Sequence, residues 1–199
     1  MPDGTLLCGQ RNTPTAVTVG KYKRWLLEKD QGWSKKPDFI RRRLYERYIE
    51  PVKALDANKE LRKKKHGFYV MAVGCLLIET LVSFYRGWET TARRGKTRGK
   101  SGKAFKLFFR VEPRFAAFRG KLFYKHVRCG ILHQGETTGG WIVRREGPLY
   151  DGLKSINAAK FHKELAAAID EYAERLKENQ GRLRTYFDKK MKAVIENCG

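Results

Sequence analysis

The feature that most limits how this chain can fold is the stretch from His66 to Trp88, which is its most apolar part, holds no proline and shows no strict alternation of apolar and polar residues. At over twenty residues it is too long for a strand, so it predicts a central helix buried nearly all round. Glu79 and Ser83 lie four residues apart within it and share a helix face. A glutamate in such surroundings is rarely buried without a partner, structural or functional, so one is expected here. The longest unbroken apolar run, Phe68 to Ile78, is too short to cross a bilayer and ends against Glu79. No membrane partner is therefore expected.

The rest of the chain arranges itself around this helix. The segment before it, residues 1–65, is basic and carries Phe39, Ile40, Leu44, Tyr48 and Val52 on one helical stripe, interrupted by Pro51. It reads as one or two amphipathic helices, closed by Arg62-Lys63-Lys64-Lys65, that pack as an extension on a bundle formed by residues 66–199. After the apolar helix the composition changes abruptly: Thr90 to Lys103 reads TTARRGKTRGKSGK, a flexible basic loop without apolar periodicity. From Ala104 to Val127 apolar residues return at helical spacing (Phe105, Phe108, Phe109, Phe115, Phe118, Leu122, Phe123), with Pro113 breaking or starting a helix. Gly135 to Gly152 suits a loop or a short β-hairpin. Two closing helices are predicted, Asn157 to Asn179 and Arg182 to Glu196, the first with Phe161, Leu165, Ala168, Ile169, Tyr172 and Leu176 on one face. The fold class is all-α, a helical bundle in a single domain of 199 residues.

The charge narrows the partners. Against 21 Asp+Glu stand 43 Lys+Arg, a formal +22. So large an excess repels itself in the compact state, and a polyanion that relieves it, nucleic acid first, is the expected partner. Arg93, Arg94, Lys96, Arg98, Lys100 and Lys103 in the basic loop suit contact with a phosphate backbone without reading its sequence. The opening Met1-Pro2-Asp3-Gly4 lacks the marks of a secretory signal, which makes the cytoplasm the default compartment. Cys8, Cys75, Cys129 and Cys198 are scattered, with no paired spacing and no histidine at zinc-site spacing, so neither a disulfide framework nor a metal or other cofactor is expected.

One short region could carry chemistry: Lys125-His126-Val127-Arg128-Cys129-Gly130-Ile131-Leu132-His133-Gln134-Gly135-Glu136. An imidazole can take and return a proton near neutral pH, and a guanidinium can pair with a phosphate and with the charge it develops. Those are the two tools needed to cleave RNA by attack of its own 2′-hydroxyl. His126 and His133, seven apart, fall roughly on one helix face, so His126 is either a second proton carrier or a structural residue. Glu79 could pair with Arg128 and hold its rotamer, or satisfy another basic residue. Ser83, Cys129 and Gln134 are supporting candidates.

Arg128-x-x-x-x-His133 resembles the Arg-x(4–6)-His signature of HEPN (higher eukaryotes and prokaryotes nucleotide-binding) domains. The order of a long apolar helix bearing Glu79, a basic insertion and then RCGILHQGET is similar to that family over residues 66–180. The resemblance implies a helical bundle that often acts as a metal-independent ribonuclease, a homodimer whose cleft is lined by these residues, and products ending in a 2′,3′-cyclic phosphate and a 5′-hydroxyl. Cys129 departs from the Asn, Asp or His that the family often carries after its arginine; a thiol does not replace a carboxamide's hydrogen bonds. On an ideal helix, residues five apart diverge by about 140° and are about 7.5 Å apart along the axis, so Arg128 and His133 of one chain are not expected to point together. Two copies meeting across a two-fold axis would let each arginine approach the other's histidine.

The resulting expectation is an endoribonuclease, in the setting of a toxin or defence effector restrained by an antitoxin or regulatory partner. Two rivals share the same residues: a basic RNA- or ribosome-binding protein without catalysis, and an inactive HEPN-like partner of a nucleotidyltransferase. Salt-sensitive RNA binding is common to them, and cleavage separates them.

Overall fold

The computed structural model describes residues 3–63, 66–92, 100–178 and 181–197. Antiparallel strands β1 (Leu6–Cys8) and β2 (Val17–Thr18) open the chain, and β2 runs directly into α1 (Val19–Leu27), whose first turn is capped by the Thr18 hydroxyl accepting the Lys21 amide at 3.2 Å. Helices α2 (Lys29–Ser34) and α3 (Lys36–Leu44) follow, and α3 passes through a π-turn at Tyr45–Ile49 into α4 (Glu50–Ala57) and the short α5 (Lys59–Lys63). The long α6 (Gly67–Arg86) is followed by α7 (Ser101–Val111), a 3-10 turn at Pro113–Phe118, a second π-turn at Tyr124–Arg128 and α8 (Cys129–Gln134). Strands β3 (Ile142–Arg144) and β4 (Ser155–Asn157) precede the closing helices α9 (Ala158–Lys177) and α10 (Leu183–Asn197). With 68% helix against 7% strand, the all-α class stands.

The chain divides into two compact units, one of Met1–Pro51, Phe84–Glu89 and Ile169–Gly199, the other of Val52–Ser83 and Thr90–Ala168. The first is organised by aromatic rings: Tyr22, Trp25 and Phe39 lie 5.3–5.9 Å apart, and Phe187 meets both Trp33 and Phe84 at 5.7 Å. Lys36 is buried there, with Asp188 accepting its ammonium at 2.7 Å and Trp33 4.6 Å beneath it. In the second unit Phe105, Phe108, Phe109, Phe115, Phe118, Phe123 and Phe161 form one buried cluster, with Phe123 stacked on Phe161 at 5.6 Å. Seven phenylalanine side chains, each worth about 1.5–3 kcal/mol when buried, make this the dominant core of that unit.

Four sequence expectations change. Tyr48 is only half-buried and Ile49 takes its place in the core, because the π-turn inserts an extra residue into the helical register before Pro51. The same wide turn lets Pro51 sit within a helical run, by relieving the clash of its ring with the carbonyl four residues earlier. Ser101, Gly102 and Lys103 belong to α7 instead of the basic loop. Where 135–152 suited a loop or a short β-hairpin, its strand joins a parallel pair reaching beyond it: Ile142, Val143 and Arg144 align with Ser155, Ile156 and Asn157. Between them the chain reverses twice, since a tight turn held by the Asp151 carboxylate on the Leu153 and Ser155 amides pairs Tyr150 antiparallel with Ile156.

Helix α6 is long and apolar enough to cross a membrane by length and composition, so it outruns the unbroken Phe68–Ile78 run, and 61% of its apolar window is buried inside the protein. In the second unit the side chains of Leu165 and Phe161 crowd Gly74, where an added Cβ would fall 3.1 Å from Leu165. The stripe read in the closing helix is fully buried, from Phe161 through Leu176.

Candidate active site

Within the second unit, α6 supplies Glu79, the π-turn supplies Arg128 and the last turn of α8 supplies His133. Glu79 is 8% exposed and is partnered on both oxygens. Its Oε1 accepts Nε of Arg128 at 2.9 Å; its Oε2 accepts the hydroxyls of Thr91 at 2.6 Å and Ser101 at 2.7 Å. Burial works against the Arg128 charge, but the Glu79 carboxylate outweighs it by charge and by hydrogen bond, so the guanidinium titrates above its ordinary value. Tyr124 lies under the guanidinium at 5.7 Å.

Arg128 Nη1 approaches His133 Nε2 at 3.5 Å. The two groups therefore come together within one chain, against the expectation from ideal helix angles: the extended arginine side chain spans the separation that the backbone imposes. Nη1 is a donor only, so this contact requires a neutral imidazole with its proton on Nδ1. His133 itself is exposed, because α8 ends one residue later at Gln134, followed by Gly135, whose φ of +72° closes the helix in the left-handed conformation.

The other expected members have different parts. The Ser83 hydroxyl donates to the Glu79 carbonyl of its own helix at 2.8 Å, so sharing a face with Glu79 does not bring it to the carboxylate. His126 turns to the following loop, with Nδ1 2.9 Å from the Thr138 hydroxyl and its carbonyl accepting the Thr138 amide at 2.9 Å. A Cβ on Gly139 would fall 2.5 Å from that imidazole, so the loop backbone lies against the ring. Cys129 is half-buried beside Tyr124, whose hydroxyl is pushed up from its ordinary value first by burial and then by that thiol. Gln134 is exposed at the end of α8. Lys100 and Lys103 are exposed beside Ser101; Arg93, Arg94, Lys96 and Arg98 lie outside the described residues.

Thr91, Ser101 and Gly130 were not among the expected site residues. No periodicity links Thr91 or Ser101 to Glu79, 12 and 22 residues away. Gly130 did carry a signal, as a glycine inside a helical run. A Cβ there would meet the Glu136 carbonyl at 2.5 Å, so its absence lets residues 136–138 fold back along α8.

The unit holds a second group of the same composition. Asp56 Oδ1 lies 2.8 Å from His66 Nε2 and 2.5 Å from Arg145 Nη2, and Arg145 Nη1 also contacts His66. Burial alone would raise the Asp56 carboxyl, but the hydrogen bonds and charges of His66 and Arg145 hold it below its ordinary value. No family model, no curated protein and no solved structure matches this chain.

Proposed function

We propose that this protein is a metal-independent endoribonuclease of the HEPN class, with Arg128 and His133 as its catalytic residues. The observation that carries the reading is the approach of an exposed imidazole to a guanidinium that a buried carboxylate already holds in place. In the reaction the substrate 2′-oxygen forms a bond to phosphorus as its proton passes to an imidazole. The bond from phosphorus to the 5′-oxygen breaks, and that oxygen takes a proton to leave as a 5′-hydroxyl. Arg128 orients the phosphate and stabilises the charge added in the transition state. DNA lacks the attacking hydroxyl and is not cut.

The reaction needs one group to take a proton and another to give one. His126 is engaged with Thr138, so the second carrier in this reading is His133 of another copy, in a homodimeric cleft. The formal +22 supplies salt-sensitive attraction to RNA. The proposed setting is the cytoplasm, in a toxin or defence role restrained by an antitoxin or other regulatory partner. The ion pair between Glu79 and Arg128 also fits a binding protein without catalysis, in which the arginine is only a structural cation.

Incubating wild-type and His133→Ala protein with total RNA in EDTA separates the readings. Cleavage by the wild type alone, with 2′,3′-cyclic phosphate ends, is the expected result. RNA left intact by both proteins would leave the binding reading in its place.

A further inference from the structure

We propose that Thr91 and Ser101 are positioning residues for Arg128, acting through Glu79; the kinetic part of this inference rests on the ribonuclease reading above. The torsion that sets the plane of a glutamate carboxylate is broad and soft, so the side chain alone does not decide where each oxygen points. Here both hydroxyls donate to Oε2, at 2.6 and 2.7 Å, from opposite ends of the segment between residues 91 and 101. Two donors on one oxygen fix the plane and present Oε1 to Arg128 Nε at 2.9 Å. Held through Nε, the guanidinium brings Nη1 to His133.

The hydroxyls also share the charge of Glu79. A carboxylate that accepts three hydrogen bonds gives less of its electron density to the arginine, and the guanidinium keeps more of its attraction for a phosphate. Their role is separable from closing the segment: the Thr91 carbonyl accepts the Lys100 amide at 2.7 Å, a backbone bond that survives loss of both hydroxyls. Thr91→Val and Ser101→Ala should therefore disturb the aim of Arg128 without opening this part of the fold.

Two measurements test the inference on the full chain. In RNA cleavage, Thr91→Val and Ser101→Ala should each lower kcat about tenfold and together about a hundredfold, with KM within about twofold, as for loss of groups that orient a catalytic residue. Thr91→Ser and Ser101→Thr keep the hydroxyls and should retain activity. An unchanged kcat in the double variant, or a loss confined to KM, would overturn the proposal. In NMR, the Arg128 Nε–H resonance should exchange slowly with water in the wild type and in the hydroxyl-keeping variants, and fast in the double variant. A slow resonance in the folded double variant sinks the inference whatever the activity. If the wild-type protein cuts no RNA, the ribonuclease reading fails and this resonance alone decides whether the hydroxyls position Arg128.

Discussion

The second unit uses the same three functional groups twice, carboxylate, guanidinium and imidazole, and exposes them in opposite ways. At Glu79–Arg128–His133 the carboxylate is buried, the arginine side chain is 16% exposed and the imidazole faces solvent. At Asp56–His66–Arg145 the histidine is the sheltered member, 11% exposed, while Asp56 and Arg145 are 32% and 27% exposed. In the first group the carboxylate engages the arginine and two hydroxyls, and the imidazole contacts the arginine instead of the acid. In the second, Asp56 and Arg145 both engage His66 through Nε2. Composition does not make a site; chemistry on an external substrate needs the proton carrier at the surface and its orienting charge beneath.

Exchanging each histidine for alanine separates the two groups most directly. His133→Ala should lower RNA cleavage by about 10²–10⁴-fold, the usual contribution of a general acid or base, with thermal stability unchanged. His66→Ala should do the reverse, lowering Tm while leaving cleavage near the wild-type level. Equal losses of activity in the two variants would erase the distinction.

The next effect in size concerns the buried carboxylate. Arg128→Ala strands Glu79 without its cation and should cost about 3–5 kcal/mol in denaturant unfolding. Glu79→Gln combined with Arg128→Met removes both charges while keeping an acceptor for Thr91 and Ser101. It should recover most of that stability and none of the cleavage. Recovery of both would mean that the arginine serves the fold alone.

Asp56→Asn should be milder, about 1–2 kcal/mol, because water reaches the pair and screens it. The folded carboxyl titrates below 3.8, so its stabilisation is complete above that value and is lost as pH falls through the lower, folded-state pKa. Acid unfolding curves of wild type and variant should therefore converge below about pH 3.8 and separate above it. Ser83→Ala should change stability by less than about 0.5 kcal/mol, since its hydroxyl returns to its own helix. A larger loss would give Ser83 a role in holding Glu79.

Legibility in the sequence followed the range of the interaction. The α9 stripe Phe161–Leu165–Ala168–Ile169–Tyr172–Leu176 and the apolar helix around Cys75 and Ile78 depend on spacing within one element; the stripe is buried throughout, while the apolar helix leaves Tyr69 and Leu76 exposed. The stripe through Tyr48 failed by one residue, because a π-turn changes the period locally and leaves no mark in a pattern of apolar residues. The parallel pairing of β3 with β4 escaped for a related reason: Gly147-Pro148 and Asp151-Gly152 announce reversals but do not say how many the chain makes.

Thus the residues alone determined the helical class, the basic charge and the presence of Glu79, Arg128 and His133, because periodicity, net charge and residue chemistry are local properties. Tertiary structure decided which oxygen of Glu79 meets Arg128, that Thr91 and Ser101 hold the other, that His126 turns to Thr138 and that His133 stays in solvent. The contacts at Glu79 join residues 12, 22 and 49 apart. They are set by the packing of α6 with the chain around residues 91, 101 and 128, and no spacing along the sequence encodes them.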